Sequence, residues 1–190
     1  MTVRRLDARQ LRAVADELAD LLIDTVEDGA SIGFLAPLAR TAAVDWWRER
    51  ADAVAAGHLA VWVALRDGLV VGTVSLAFPG KPNSRHRAEL VKLMVHRAAR
   101  GEGLGRRLLT VAEDAAVATG LTLLHLDTEA DSPAERLYRS TGWTRAGMIP
   151  DYAASPDGVL RPTTLYYKRV GTGAEADAAG RLVARDGPRT

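Results

Sequence analysis

Residues 88–110, Ala-Glu-Leu-Val-Lys-Leu-Met-Val-His-Arg-Ala-Ala-Arg-Gly-Glu-Gly-Leu-Gly-Arg-Arg-Leu-Leu-Thr, read as an apolar strand, a glycine-rich turn and the start of an amphipathic helix. The turn from Arg100 to Gly105 carries three glycines, which let backbone N–H groups approach a ligand, and it opens into a helix whose positive end favours anions. This is the signature of a phosphate site. A P-loop would continue with Gly-Lys-Ser/Thr, but Arg106 and Arg107 follow Gly105. A dinucleotide fingerprint would need glycine at position 106 and an acidic residue roughly 20 positions further on, after an early strand. Neither pattern is met.

Working outward, Leu104, Leu108, Val111, Ala112 and Ala115 keep one apolar face until Gly120 stops the helix. A strand over 121–128 follows. Ser132-Pro133-Ala134-Glu135 reads as a capping box with proline at the first helical position, so a short helix runs to about Ser140. Two last strands, 145–149 and 163–169, are joined by a Pro150–Pro162 loop. Upstream, Asp67-Gly68 between two apolar runs predicts a hairpin of 60–66 with 69–78. A strand at Val3–Leu6, one helix over 8–27 capped by Asp7, and a second helix over 40–56 precede it. Between those helices, Ile32, Phe34 and Leu35 sit in a glycine- and proline-broken loop; with Trp46 and Trp47 they either cover a cleft or belong to the core. Loss of periodicity from Gly171 predicts one domain, 1–170, and a flexible C-terminal tail, 171–190. The fold class is α/β: a mixed, mostly antiparallel sheet of about six to seven strands flanked by about four helices.

Composition narrows the function. A net charge of +1 gives no reason to expect a nucleic-acid partner. The absence of cysteine excludes thiolate nucleophiles and Cys-based zinc sites, and the four histidines lack metal-ligand spacing, so no metal is expected. No apolar run approaches the ~20 residues of a membrane span and the N-terminus lacks a signal-peptide core, so the expected location is the cytoplasm, away from membranes.

Arg100-x-x-Gly103-x-Gly105 after a Leu-Met-Val strand resembles the acetyl-CoA loop of the GNAT N-acetyltransferase superfamily, and Ala134-Glu135-Arg136-Leu137-Tyr138-Arg139-Ser140-Thr141-Gly142-Trp143 resembles its A-x-x-L-Y-x-x-x-G-[FW] helix. Residues 24–35, 93–95, 124–130 and 155–163 are similar to segments of the tabtoxin resistance protein-like branch of that superfamily. The resemblance implies a single GNAT-like domain that uses acetyl-CoA as co-substrate. It would be held by Met94 and Val95 at the strand end and by Arg100, Gly101, Gly103, Leu104, Gly105 and Arg106. The acceptor implied is a primary amine of a small molecule. A non-catalytic CoA-binding sensor and a protein or peptide N-terminal acetyltransferase remain alternatives, and an edge strand leaves room for a homodimer.

The chemistry asks for an acid and a base, because an amine attacks a thioester only when deprotonated and the departing thiolate gains from a proton. By the resemblance, Tyr138 is the general acid. Asp127 and Glu89 compete for the base: Asp127 closes an apolar strand where desolvation would raise its pKa, and Glu89 lies on the strand before the glycine turn. The surrounding arginines, Arg97, Arg100, Arg106 and Arg107, suit a pyrophosphate. His125, two residues before Asp127 on the same face, reads as a buried and satisfied histidine. Where many superfamily members carry an asparagine that contacts the cofactor, this chain has Asp131.

Overall fold

The computed structural model describes residues 1–171. In chain order its elements are β1 (Thr2–Leu6), α1 (Ala8–Ala13), α2 (Ala15–Glu27), α3 (Arg40–Ala55), β2 (Leu59–Arg66), β3 (Leu69–Ala77), β4 (Arg87–Val95), α4 (Leu104–Ala118), β5 (Leu123–Glu129), α5 (Pro133–Ser140), β6 (Thr144–Ala154) and β7 (Leu160–Arg169). The seven strands form one sheet in the order β1-β2-β3-β4-β5-β7-β6, antiparallel throughout except between β4 and β5. The expected α/β fold is therefore present, with five helices on the two faces of the sheet.

Each face closes its own core. On one side Leu11, Leu18, Leu22 and Trp47 from the first three helices meet Val61, Val63 and Met94. On the other, Leu104, Leu108 and Ala112 of α4 and Tyr138 of α5 meet Val74, Leu76, Leu90, Leu124 and Tyr166. Local signals act as read: Asp7 and Gln10 exchange the two bonds of a capping box, and Asp67 and Gly68 both take positive φ in the turn between β2 and β3.

Two boundaries differ from the sequence reading. The helix expected over 8–27 breaks at Val14 (φ −107°, ψ 14°), because α1 packs against α3 and β1 whereas α2 lies over β3 and β4, which one straight helix cannot follow. The loop expected from Pro150 to Pro162 is mostly strand. The chain passes Pro150 on the edge strand β6, where no ladder N–H is needed, and the bulge between Ile149 and Ala153 absorbs the misfit with Asp151 at φ 50°. The tail expected from 171 lies outside the described residues beyond Gly171. Among the described residues no helix is long and apolar enough to cross a membrane, and no group of three or more His, Cys, Asp or Glu is placed to hold a metal ion.

Candidate active site

The one parallel pairing is short. β4 and β5 meet at Arg87–Leu123, Ala88–Leu124 and Glu89–His125 and then diverge, so the sheet opens as a V between the rest of β4 and the rest of β5. Along those edges the strands are paired only on their outer sides, with β3 and β7. Unpaired edges of this kind accept an extended ligand as an added strand. Met94 and Val95 stand at the open end of β4, and the Val95 carbonyl accepts from Arg100 Nε at 3.1 Å.

At the same end the glycine turn reaches α4. Gly101 and Gly103 hold φ of 80° and 74°, a conformation natural only to glycine, and no side chain caps the helix. The backbone N–H groups of residues 101–106 donate to no acceptor among the described residues, the first helical bond being Arg107 N–H to the Gly103 carbonyl at 3.1 Å. Six consecutive donors at a positive helix end make an anion site. Gly105 has a different task from its neighbours: a Cβ there would stand 3.3 Å from Leu137 Cδ2, so it sets the close approach of α4 to α5.

The arginines of the turn are committed to protein. Arg97 binds Asp24, Arg100 pairs with Asp28, Arg106 reaches Ser140 Oγ at 3.1 Å and Arg107 the Met1 carbonyl at 3.3 Å. They tie the turn to α2, α5 and the chain start, leaving the backbone as the donor set.

Ala88, Leu90, Leu124 and Leu126 pack into the core under α4, so Glu89, His125 and Asp127 point to the opposite face of the V. Asp127 is exposed there, contrary to the desolvated strand end expected for it. Glu89 is half-buried and forms no ion pair among the described residues. Arg87, two residues before it on β4, lies 2.6 Å from His125 Nε2. His125 is thus half-buried and satisfied; burial pushes its imidazole below the ordinary histidine range, Glu89 opposing, so it stays neutral with Nε2 as acceptor. Because the unfolded histidine takes up a proton near pH 6.5 and the folded one only at lower pH, the fold loses stability as pH falls through that window. His125→Gln is expected to flatten this acid sensitivity between pH 7 and 5, as read from thermal melts; an unchanged slope would remove His125 as its source.

Tyr138 comes from the other face. Ser132 Oγ accepts from Glu135 N–H at 3.1 Å and starts α5, which buries Tyr138 to 5% exposure with ring centroids 5.7 Å from Trp143 and 6.4 Å from Tyr166. Its hydroxyl makes no hydrogen bond among the described residues. Burial, with the Asp127 charge added, pushes the phenol far above its ordinary range, so it is a proton donor at every physiological pH. The capping box is only half as read: the Glu135 carboxylate reaches the Asp131 N–H and accepts from Tyr166 Oη at 2.8 Å. Asp131, at φ 62°, thereby serves the start of α5 through its backbone, donating its N–H to Glu135 and accepting from Arg136 at its carbonyl.

Sequence reasoning missed Lys92. It sits in a bulge of β4, where Lys92 and Leu93 together face the single residue Val74, and takes φ 54°. Its Nζ donates to the Ile32 carbonyl at 2.6 Å and lies 5.4 Å from the Phe34 ring and 5.3 Å from the Trp46 ring. A lone lysine inside Leu-Val-Lys-Leu-Met-Val was the available signal, since an unpaired charge in an apolar run calls for a reason. The loop it contacts, 28–39, continues to the β6–β7 turn, where Ala36 N–H donates to the Pro156 carbonyl at 2.9 Å. It therefore straps across the V on the face of Glu89 and Asp127. The aromatic group divides accordingly: Trp47 is fully buried core with its indole on the Leu18 carbonyl at 3.1 Å, while Phe34 and Trp46 meet edge-on at 5.4 Å beside Lys92.

Comparison with known proteins agrees with this geometry. The profile of the acetyltransferase (GNAT) family matches residues 16–143. An uncharacterized N-acetyltransferase encoded in the hisH-hisA intergenic region of Azospirillum brasilense is 32% identical over 129 residues, 67% of this chain and 74% of that protein. Among solved structures, a ribosomal-protein-alanine N-acetyltransferase from Brucella melitensis superposes with TM-score 0.73 at 26% identity, covering 90% of this chain and 100% of that one. A phosphinothricin acetyltransferase from Sinorhizobium meliloti, solved in complex with AcCoA, superposes with TM-score 0.75 at 20% identity over 92% and 90% of the two chains.

Proposed function

The chain belongs to the acetyltransferase (GNAT) family, and from that premise we propose that it transfers acetyl from acetyl-CoA to the primary amine of a small molecule, amino-acid-like or antibiotic-like as in the tabtoxin resistance protein-like branch, by direct attack. The observation that carries the donor half is the run of six unpaired N–H groups at 101–106, set where β4 parts from β5. That run suits the pyrophosphate, and the unpaired edge at Met94 and Val95 suits the pantetheine arm. In this assignment the acceptor amine loses its proton toward Asp127 and attacks the thioester carbonyl; a C–N bond forms, the C–S bond breaks, and Tyr138 protonates the departing sulfur. Without cysteine there is no thiol to carry the acetyl group, which favours direct transfer.

A second reading, acetylation of a polypeptide N-terminus, is favoured by the name of the Brucella neighbour. The strap from Ala36 to Pro156 argues against it, because it crosses the face a polypeptide would have to enter.

The deciding measurement is free-thiol release from acetyl-CoA with a panel of small amines and N-terminal peptides, beside calorimetric titration of acetyl-CoA. Micromolar to millimolar KM values with small amines are expected. Binding without thiol release would leave a CoA sensor, and a preference for peptides would establish the second reading.

A further inference from the structure

Charged groups leave water only when something compensates them: a counter-ion, hydrogen bonds, or a ligand. Lys92 is half-buried beneath the strap, with one hydrogen-bond acceptor, the Ile32 carbonyl, and no salt bridge among the described residues. Two ammonium N–H groups remain without an acceptor. The rings of Phe34 and Trp46 stand against it but offer no formal charge. Lys92 also shares its face of the V with the two candidate bases: its Nζ meets Ile32, Phe34 and Trp46 on the side away from the core that holds Ala88, Leu90, Leu124 and Leu126, and the charges of Asp127, Arg50 from α3 and Glu89 act on it there. A carboxylate and an ammonium without a salt bridge among the described residues, on one face of the V beneath the strap, are the complement of a molecule that carries both an amine and an anionic oxygen group.

Resting on the acetyltransferase reading above, we propose that Lys92 is the specificity-determining residue of the acceptor site: its ammonium receives the carboxylate of an amino-acid-like acceptor and aims the amine of that acceptor at Asp127. The bulge explains how β4 delivers it, because the extra residue turns Lys92 out of the ladder toward the strap while Val91 and Met94 keep their places in the core. Gly33 fits the same arrangement, its Cα side standing close enough that a Cβ would lie 3.6 Å from Lys92 Nζ. A purely structural role is the competing account, and stability separates the two. Burial disfavours the charged form of Lys92, and the carboxylates of Glu89 and Asp127 offset this only in part. Replacing it by an apolar residue of similar length therefore costs the fold little or nothing, whereas loss of a structural latch would lower Tm.

The test uses the full chain with saturating acetyl-CoA and a matched panel: common L-amino acids bearing a primary amine, each beside the amine that lacks its carboxylate. The expected result is a kcat/KM at least tenfold higher for the carboxylate member of the best pair. In Lys92→Met this preference should fall about ten- to hundredfold, through KM, with acetyl-CoA affinity within twofold and Tm undiminished. Lys92→Arg should retain part of the preference. Preference for the decarboxylated amines, a preference unchanged in Lys92→Met, or a lowered Tm in that variant each overturns the assignment while leaving the acetyltransferase reading in place. Thiol release with no member of the panel overturns both.

Discussion

Tyr138→Phe is expected to lower kcat by about two to three orders of magnitude, the usual contribution of a positioned acid, while acetyl-CoA affinity stays within about twofold. The variant removes one oxygen and nothing else. The ring would keep its contacts with Trp143 and Tyr166, so the core under α5 is undisturbed. A core tyrosine retained for its hydroxyl would hold a bonded one and lose roughly 1 kcal/mol on removal; this hydroxyl has no bond among the described residues to lose, so thermal melts should coincide. The phenol also holds the proton the step needs: with its pKa raised by burial and by the Asp127 charge, it stays protonated across the range where an amine becomes nucleophilic. Thiol-release kinetics and calorimetry on the two proteins decide the matter, and a kcat within twofold of the parent would return Tyr138 to the core.

How much of this was legible in the sequence depends on the range of the interaction. The strand, turn and helix of 88–118, the Asp67-Gly68 hairpin and the start of α5 are set by neighbours a few residues apart, and each formed where the local pattern placed it. The break at Val14 was not legible, because it arises from the different surfaces that α1 and α2 cover. The density of arginines around the turn points to phosphate, but Arg97 and Arg100 find their partners Asp24 and Asp28 more than seventy positions away, beyond any local pattern. Asp127 was placed on the correct strand and face, but its exposure depends on how far β4 and β5 diverge, which only the pairing register reveals. Lys92 shows the same limit. A bulge leaves the apolar run intact in sequence while changing which way one side chain points, so the alternation that locates a strand conceals the residue that departs from it.

The second large effect concerns the base. Asp127→Asn is expected to reduce kcat by about two to three orders of magnitude, and Glu89→Gln by clearly less. Both carboxylates face the acceptor side of the V, and proximity to the acid distinguishes them. The Asp127 charge acts on the Tyr138 phenol as well as on His125 and Lys92, whereas the Glu89 charge acts on His125 and Lys92 and is not among the influences on the phenol. Exposure does not disqualify Asp127, because acceptor and strap together would exclude water from it once the cleft is filled. The asparagine variant keeps the shape and removes the charge, so acetyl-CoA affinity should hold within twofold. It should also lower the phenol pKa, since one of the two influences that raise it is gone while burial remains. A double variant, Asp127→Asn with Tyr138→Phe, is then expected to be far less than multiplicatively worse than either single change, because the two groups serve one proton-transfer sequence. Should Glu89→Gln prove the more damaging substitution, with Asp127→Asn near the parent rate, the base is Glu89. The acceptor amine would then lie nearer the closed end of the V, where β4 and β5 still pair.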